Sequence, residues 1–522
     1  MARFTLQMKP GVARLATPEL SRTRWWDANN VRFRQGLLLP IGGNVLYPGS
    51  VVDSAPRDLL SWTDNSGQHW AAIGTDVKLW VFNFETQTLY DITPAGVPGL
   101  GAPANTLDGY GMGLYDQGLY GMPPRPRTGS SVPPPAVSPN FGDRWSMDTF
   151  GEDLLVVPTQ DGGLYRWSPL SPGSVAAKVT GAPVGNIGVV VTDQRHVVLL
   201  GAGGDPRNIA WSAQEDPNSW VPAIDNLAGS KLLVTQSRAM SAIRTPFGVL
   251  IFTDAGDDVH LMAYAGPPFA YGITQIAAGC SPISPRAAVA IGSFVAWPGA
   301  QTFWAFNGNV QPMPCDVQDW FFSIINRNRL GRIFGSPNPA FSECWWDFPD
   351  EGADENNRYI AVNFAETAGQ RPWTIGVRAR TAAAPKSALQ YPVLGGLSGT
   401  AGALYLHEYG WLENGQPRAS RGEVYCETAA ITGDGQADQR FNVTQIAFDV
   451  SPTPDLLGYE FFLREQASGP ETSSGLYNVT RTDGLLDIRC SARHARLRVI
   501  AAQDLPWALG LPRFQVQPGG AR

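Results

Sequence analysis

The fold of this chain is constrained first by a hairpin that recurs. Gly151 to Pro169 (GEDLLVVPTQDGGLYRWSP) sets a short apolar run, Leu154 to Val157, against a second run carrying Leu164, Tyr165 and Trp167. Thr159 to Gly163 supply the turn between them. Related units occupy Trp70 to Phe82, Gly248 to Met262, Ser293 to Phe306 and Gly399 to His407, and two looser copies lie at Val197 to Trp211 and Cys344 to Val362. After a longer first interval, which an insertion accounts for, the second strands recur roughly every 45–55 residues, near the period of a propeller blade. One small twisted sheet cannot bury both of its faces, whereas blades packed round an axis bury each other's. The repeat therefore predicts an all-β protein, a β-propeller of six or seven blades, with a stacked sandwich as the alternative.

Composition agrees with that class. The 522 residues are 43% hydrophobic, with 17 Trp, 15 Tyr and 23 Phe, which excludes a disordered chain, while 57 Gly and 43 Pro imply many turns and few long helices. The net charge of −7 speaks against a nucleic-acid binder that works through a basic surface, though not against a passage through which DNA slides. Five dispersed cysteines, Cys280, Cys315, Cys344, Cys426 and Cys490, fit neither a disulfide framework nor a zinc site, so reduced thiols are expected. The first residues lack the apolar core of a secretory signal, and no run of about 18 apolar residues occurs, so a soluble protein without a membrane anchor is expected.

The chain divides into three parts. Residues 1–50 read as an N-terminal strap or assembly arm, 51–435 as the propeller, and 436–522 as a C-terminal β-sandwich-like domain. In the strap, Arg24, Arg32 and Arg34 flank Trp25, Trp26 and Phe33. Residues 95–140 interrupt the repeat with a Pro/Gly-rich insertion that has no core of its own and contains Tyr110, Tyr115 and Tyr120. Asp316 to Leu330 reads as an amphipathic helix that Asp316 caps and Gly331 ends. In the last part, Phe441 to Val450, Gly458 to Arg464, Thr482 to Cys490 and Ala495 to Val499 alternate as half-buried strands do, and Arg489, Arg493, Arg496 and Arg498 give them a basic face.

No catalytic constellation stands out. His69, His196, His260, His407 and His494 share no ligand spacing, and neither a Gly-x-Ser-x-Gly elbow nor a Walker motif occurs. Gly201 to Asp205 is glycine-rich, but Pro206 and a strand-like segment follow where a phosphate loop needs a helix. Asp347 to Glu355 places five carboxylates, among them Asp350, Glu351, Asp354 and Glu355, within nine residues. Calcium is conceivable there, but the spacing is not that of an EF-hand, and an exposed acidic hairpin tip is the simpler expectation. Ser61 to Trp70 resembles a turn of sialidase-type propellers, although its Asp is displaced and the motif does not repeat. The chain therefore reads as a structural or interaction protein rather than an enzyme, with no cofactor and no metal.

One resemblance spans nearly the whole chain. Gly11-Val12, Arg14, Thr17-Pro18, Arg24-Trp25-Trp26-Asp27-Ala28-Asn29, Val31-Arg32-Phe33-Arg34, Gly36 and Ile41-Gly42-Gly43 look like the start of the tail nozzle proteins of short-tailed bacteriophages. These are also called packaged-DNA stabilisation or tail-tube proteins. Trp145 to Glu152, Leu164 to Trp167, Asp205-Pro206-Arg207, Trp211-Ser212, Gln214 to Pro217, Gly279-Cys280, Ile283 to Pro285, Trp345-Trp346 and Trp507 to Gly510 continue the likeness in order. The resemblance implies a virion component, assembled in the host cytoplasm. Six copies would stand round the tail axis at the distal end of the tail. They would meet adaptor proteins and fibres or spikes, extend the ejection channel and hold packaged DNA without sequence-specific binding. On that reading Arg24, Trp25, Trp26, Arg32, Arg34, Arg489, Arg493 and Arg496 are candidates for assembly contacts. Tyr110, Tyr115, Tyr120, Asp350, Glu351, Asp354 and Glu355 are candidates for lumen or fibre-docking loops. A glycan-binding or glycan-active propeller and a cellular propeller scaffold remain the alternatives.

Overall fold

The computed structural model of the chain describes residues 3–5, 8–15, 20–21, 23–97, 99, 141, 144–254, 256–366, 371–432, 440–466, 469–479, 485–510 and 512–518. Among these residues seven four-stranded antiparallel sheets stand side by side as blades. Blade 1 spans residues 56–91, blade 2 145–178, blade 3 188–232, blade 4 239–277, blade 5 289–313 and blade 6 334–377. Blade 7 takes three strands from residues 382–407 and its fourth, Asn44–Leu46, from the N-terminal segment. The first strand of each blade touches that of the next, and blade 7 returns to blade 1, so the ring is closed. The protein is a seven-bladed β-propeller carrying a β-sandwich.

Each recurring hairpin of the sequence falls in a different blade. In blade 2 the strands Asp153–Pro158 and Tyr165–Trp167 pair, and Asp161 shapes the turn: its carboxylate accepts from the Gly163 amide at 3.0 Å and from the Tyr165 hydroxyl at 2.8 Å. Gly162 sits there at φ 68°, and a Cβ on it would stand 2.7 Å from Gly185, so only glycine serves. Large apolar side chains fill the seams between blades. Trp62, Trp70, Trp145 and Trp167 lie between blades 1 and 2, and Phe252, Trp297 and Phe306 between blades 4 and 5. Each contributes roughly 1.5–3 kcal/mol by leaving water. Polar side chains bind the next blade's first strand, as Asp58 does with the Trp145 amide at 3.0 Å and Asp148 with the Val191 amide at 2.7 Å.

The N-terminal segment is woven into the body. Arg3–Thr5 pairs with Arg513–Pro518 at the edge of one sandwich sheet, and Trp25–Asn29 pairs with Tyr425–Thr428 at the edge of the other. A hairpin, Val31–Arg34 with Leu37–Pro40, joins a third small sheet with Val450–Ser451 and Ala508–Leu509. Residues 23–43 therefore belong to the core and do not form a detachable arm: Trp25, Ala28, Val31 and Phe33 are buried in the apolar cluster that joins the sandwich to blades 5 and 6. The same segment covers the outer edge of blade 6. Val12 donates its amide to Trp373 O at 2.7 Å, and the Asn29 side chain accepts from the Val377 amide at 2.8 Å.

Two local expectations are corrected. The helix α1 runs only Gln318–Ile324, then the chain turns and forms a 3-10 segment, Arg327–Arg332, whose start the Asn326 side chain caps. Asp316 does not cap α1, because its carboxylate pairs with Arg24 of the strap. Of the aromatic pair, Phe321 is fully buried whereas Trp320 is half-buried. The segment Asp347 to Glu355 is no free acidic tip: Asp347 is fully buried on Arg378, and three of the other carboxylates are in ion pairs.

Candidate functional site

The axis of the ring encloses a cavity of about 690 Å³ lined by the first strands of the blades. Small residues, among them Ala242, Ala288, Ala290, Gly335 and Ala383, keep its wall open. One mouth is crossed by arginines. Arg57 of blade 1 reaches Asp76 at 2.8 Å and, across the axis, Glu355 of blade 6 at 2.7 Å. Arg286, ahead of blade 5, donates to the carbonyls of Arg57 and Gly331 and lies 3.7 Å from Asp58. Arg144, ahead of blade 2, donates to Met240 O at 2.6 Å and Ile187 O at 3.3 Å. Arg332, ahead of blade 6, lies 3.6 Å from Glu355.

Burial decides how these guanidinium groups behave. It works against Arg57's charge, but hydrogen bonds and attraction from Asp76 and Glu355 outweigh it and raise its pKa. Burial outweighs the attraction of Asp58 and, with a smaller contribution from the like charge of Arg286, brings Arg144 down to about 10; burial and the charge of Arg57 do the same to Arg332. All remain protonated at neutral pH. They act as struts between blades: Arg144 and Arg286 donate to backbone carbonyls of non-adjacent blades, and Arg57 and Arg332 meet on Glu355.

This lattice was missed in the sequence, although its signal is there. Six of the seven blades carry an arginine at or within three residues of the start of the first strand: Arg57, Arg144, Arg238, Arg286, Arg332 and Arg380. Of the lumen or docking candidates, Glu355 belongs to the lattice, Asp350 pairs with Arg358 at 2.6 Å and Asp354 with Arg329 at 3.0 Å, and Glu351 is exposed. Tyr110, Tyr115 and Tyr120 lie outside the described residues.

The assembly candidates separate by burial. Arg32 is only 2% exposed and is held between Glu343 and Glu408, its guanidinium 3.6 Å from the Phe341 ring. That position corrects its expected role, since a buried arginine cannot meet a partner. Trp25 is buried, Arg24 pairs with Asp316, and Trp26 is half-buried beside Arg14. On the sandwich, Arg496 bridges Glu427 at 2.9 Å and Glu471 at 2.8 Å, and Arg493 is half-buried. Arg34 and Arg489 are exposed.

Nucleophiles and metal ligands do not converge. All five cysteines are free, and burial raises every thiol above its usual range. No group of three or more His, Cys, Asp or Glu among the described residues is placed to hold a metal ion, and none of the described helices is long and apolar enough to cross a membrane.

No protein-family model matches the chain, and no curated protein matches it. Among solved structures it is similar to the WD40 domain of Toxoplasma gondii coronin, with 9% identity over 73% of this chain and 88% of that one, at a TM-score of 0.36. A functionally unknown protein from Desulfotomaculum acetoxidans is similar over 62% of this chain and 89% of its own, with 9% identity and a TM-score of 0.35. Neither likeness bears on function.

Proposed function

We propose that the chain is a structural subunit of a virion, forming the distal nozzle of a short phage tail and gating the channel through which packaged DNA leaves. The observation that supports this reading is where the first stretch of the resemblance falls. Arg24 to Gly43 are the residues that weld sandwich to ring: Trp25 and Phe33 enter the shared core, Arg32 the buried ion pairs, and Asn29 the edge of blade 6. A motif in such positions marks a shared architecture rather than a shared surface.

The mechanism is steric and electrostatic. The propeller axis is crossed by the arginine lattice, so DNA would run between copies arranged round a common axis, not through a propeller. The net charge of −7 would keep the lumen weakly acidic and prevent DNA from adhering. Arg34, Arg489 and Glu351 are exposed and available for contacts with adaptors, fibres or neighbouring copies. Antibody-gold labelling of purified virions from the phage that encodes the chain tests this. Label confined to the tail tip is expected. Label on peripheral spikes would replace the nozzle with a receptor-binding role, and particles without label, given an accessible epitope, would replace it with a cellular scaffold.

A further inference from the structure

The seam between blades 6 and 7 departs from the rest of the ring. Broad apolar clusters fill the other seams, whereas here the apolar cluster is reduced to Ile41, Trp345, Tyr359 and Ala361. The remaining volume holds polar groups round a cavity of about 340 Å³, walled by the two blades and by the strap. That is within the range of small-ligand sites. Burying ionic groups where hydrocarbon would pack is costly, and rule-breaking of this kind concentrates at functional positions.

Most of the seam's charges are answered within the protein. Arg378 donates to Asp347 at 2.7 Å, and Arg418 is held by the carbonyls of Ile41, Gly42 and Trp411. Arg380 has no direct ion pair among the described residues. It is 7% exposed and lines the cavity, and its guanidinium lies 4.0 Å from the Tyr405 ring. Its Nε donates to His407 Nε2 at 2.8 Å and its Nη1 to the adjoining Ala379 carbonyl at 2.7 Å; Glu413 and Asp347 support its charge only from beyond contact, and the carboxylates in the cavity wall, Glu408, Glu413 and Glu423, pair with Arg32 and Arg421. Because His407 Nε2 accepts from Arg380, the imidazole stays neutral, and burial with three surrounding arginines depresses its pKa well below the usual value. Two further groups in the wall are unsatisfied: Asn44 Oδ1 and Asn338 Oδ1 are buried without a donor among the described residues. A buried guanidinium without a direct ion pair can take an anion, and unanswered amide oxygens call for hydroxyl donors.

We propose that the cavity between blades 6 and 7 binds a small hydroxylated carboxylate of the sugar-acid class, its carboxylate on Arg380 and its hydroxyls on Asn44 and Asn338. The site stands on blade and strap together, so it exists only in the fully assembled chain. It is independent of where the protein acts, and its failure would leave the nozzle reading untouched.

Calorimetric titration of the full chain with D-glucuronate, with D-glucose and inorganic phosphate as separate arms, tests the assignment. Saturable binding of glucuronate at one site per chain is expected, with glucose at least tenfold weaker. Arg380→Gln should weaken glucuronate at least tenfold. Should that variant not fold, Arg380→Lys gives the same test, because it keeps a cation but loses the planar fork that grips a carboxylate, and it should weaken glucuronate while leaving glucose unchanged. No saturable heat with millimolar glucuronate, equal affinity for glucose, or binding of phosphate alone would overturn the proposal.

Discussion

The axial mouth of the propeller and the outer face of the sandwich are both rich in arginine–carboxylate pairs, and they serve different ends. At the mouth, Arg57, Arg144, Arg286 and Arg332 are enclosed: Arg144 and Arg286 reach backbone carbonyls of other blades, and Arg57 and Arg332 share Asp76 and Glu355. On the sandwich, Arg464 and Arg496 share Glu471 near the surface, and Arg440 meets Glu465 with the two side chains 38% and 53% exposed. Identical chemistry therefore carries different weight. Removing one partner of an enclosed pair strands a charge, whereas water and salt replace a lost partner outside.

The comparison breaks most completely if the segment tying ring to sandwich is removed. Deleting residues 1–36 takes Trp25, Val31 and Phe33 out of the shared core at roughly 1.5–3 kcal/mol each, with Ala28 adding less. That sum is comparable with the whole stability of a domain. The truncated chain is expected to lose cooperative unfolding by circular dichroism and to aggregate on size exclusion; a sharp transition would restore the strap to a dispensable arm. Within the mouth, Asp58→Ala should lower stability by about 3–5 kcal/mol in denaturant titration, because it strips the Trp145 amide and leaves Arg144 and Arg286 without their nearest countercharge. Asp58→Asn should fall between that and the wild type, since it restores the amide's acceptor but no charge.

Glu343 sharpens the comparison through pH. Burial raises its pKa from 4.5 to about 7; Arg32 opposes the shift, and the second carboxylate on that guanidinium, Glu408, reinforces it. A carboxyl with a raised pKa in the folded state binds its proton more tightly there than in the unfolded chain. Its contribution is thus fully present below about 4.5 and lost as pH rises through about 7. Glu343→Gln should flatten this part of the stability profile between pH 5 and 8, and an unchanged slope would assign it to other groups. The smallest effect is expected outside: Arg440→Ala should leave the unfolding midpoint unchanged at low and high salt, and a measurable loss would show that the surface pairs act as a network.

The blades were legible because each rests on local signals. An apolar run, a turn of Gly and Asp and a second apolar run specify a hairpin wherever they occur, as in Asp153–Pro158 and Tyr165–Trp167. The placement of the strap was not legible. Trp25–Asn29 finds its partner at Tyr425–Thr428, and nothing in RWWDAN distinguishes a strand that joins a distant sheet from one that projects. Likewise the carboxylates near Asp347 read as solvated until Arg57 and Arg378 arrive from other elements and the hairpin's own Arg358 folds back on Asp350. The cavity at Arg380 left only a faint trace, an arginine at or near the start of the first strand in six of the seven blades, whose destination depends on the seam it enters.

The borrowed strand of blade 7 sets the order of events at the ribosome. Asn44–Leu46 emerges among the earliest segments, but its partner Ala401–His407 is not made until most of the chain has been synthesised, and the partners of Trp25–Asn29 come later still. Six blades can form as they appear, while the first forty-odd residues wait, with Trp25 and Phe33 in water. Ring closure thus waits until Ala401–His407 has been made. A chain terminated before Ala401 leaves the circle open and its N-terminal aromatics unburied, in the form that chaperones and proteases recognise.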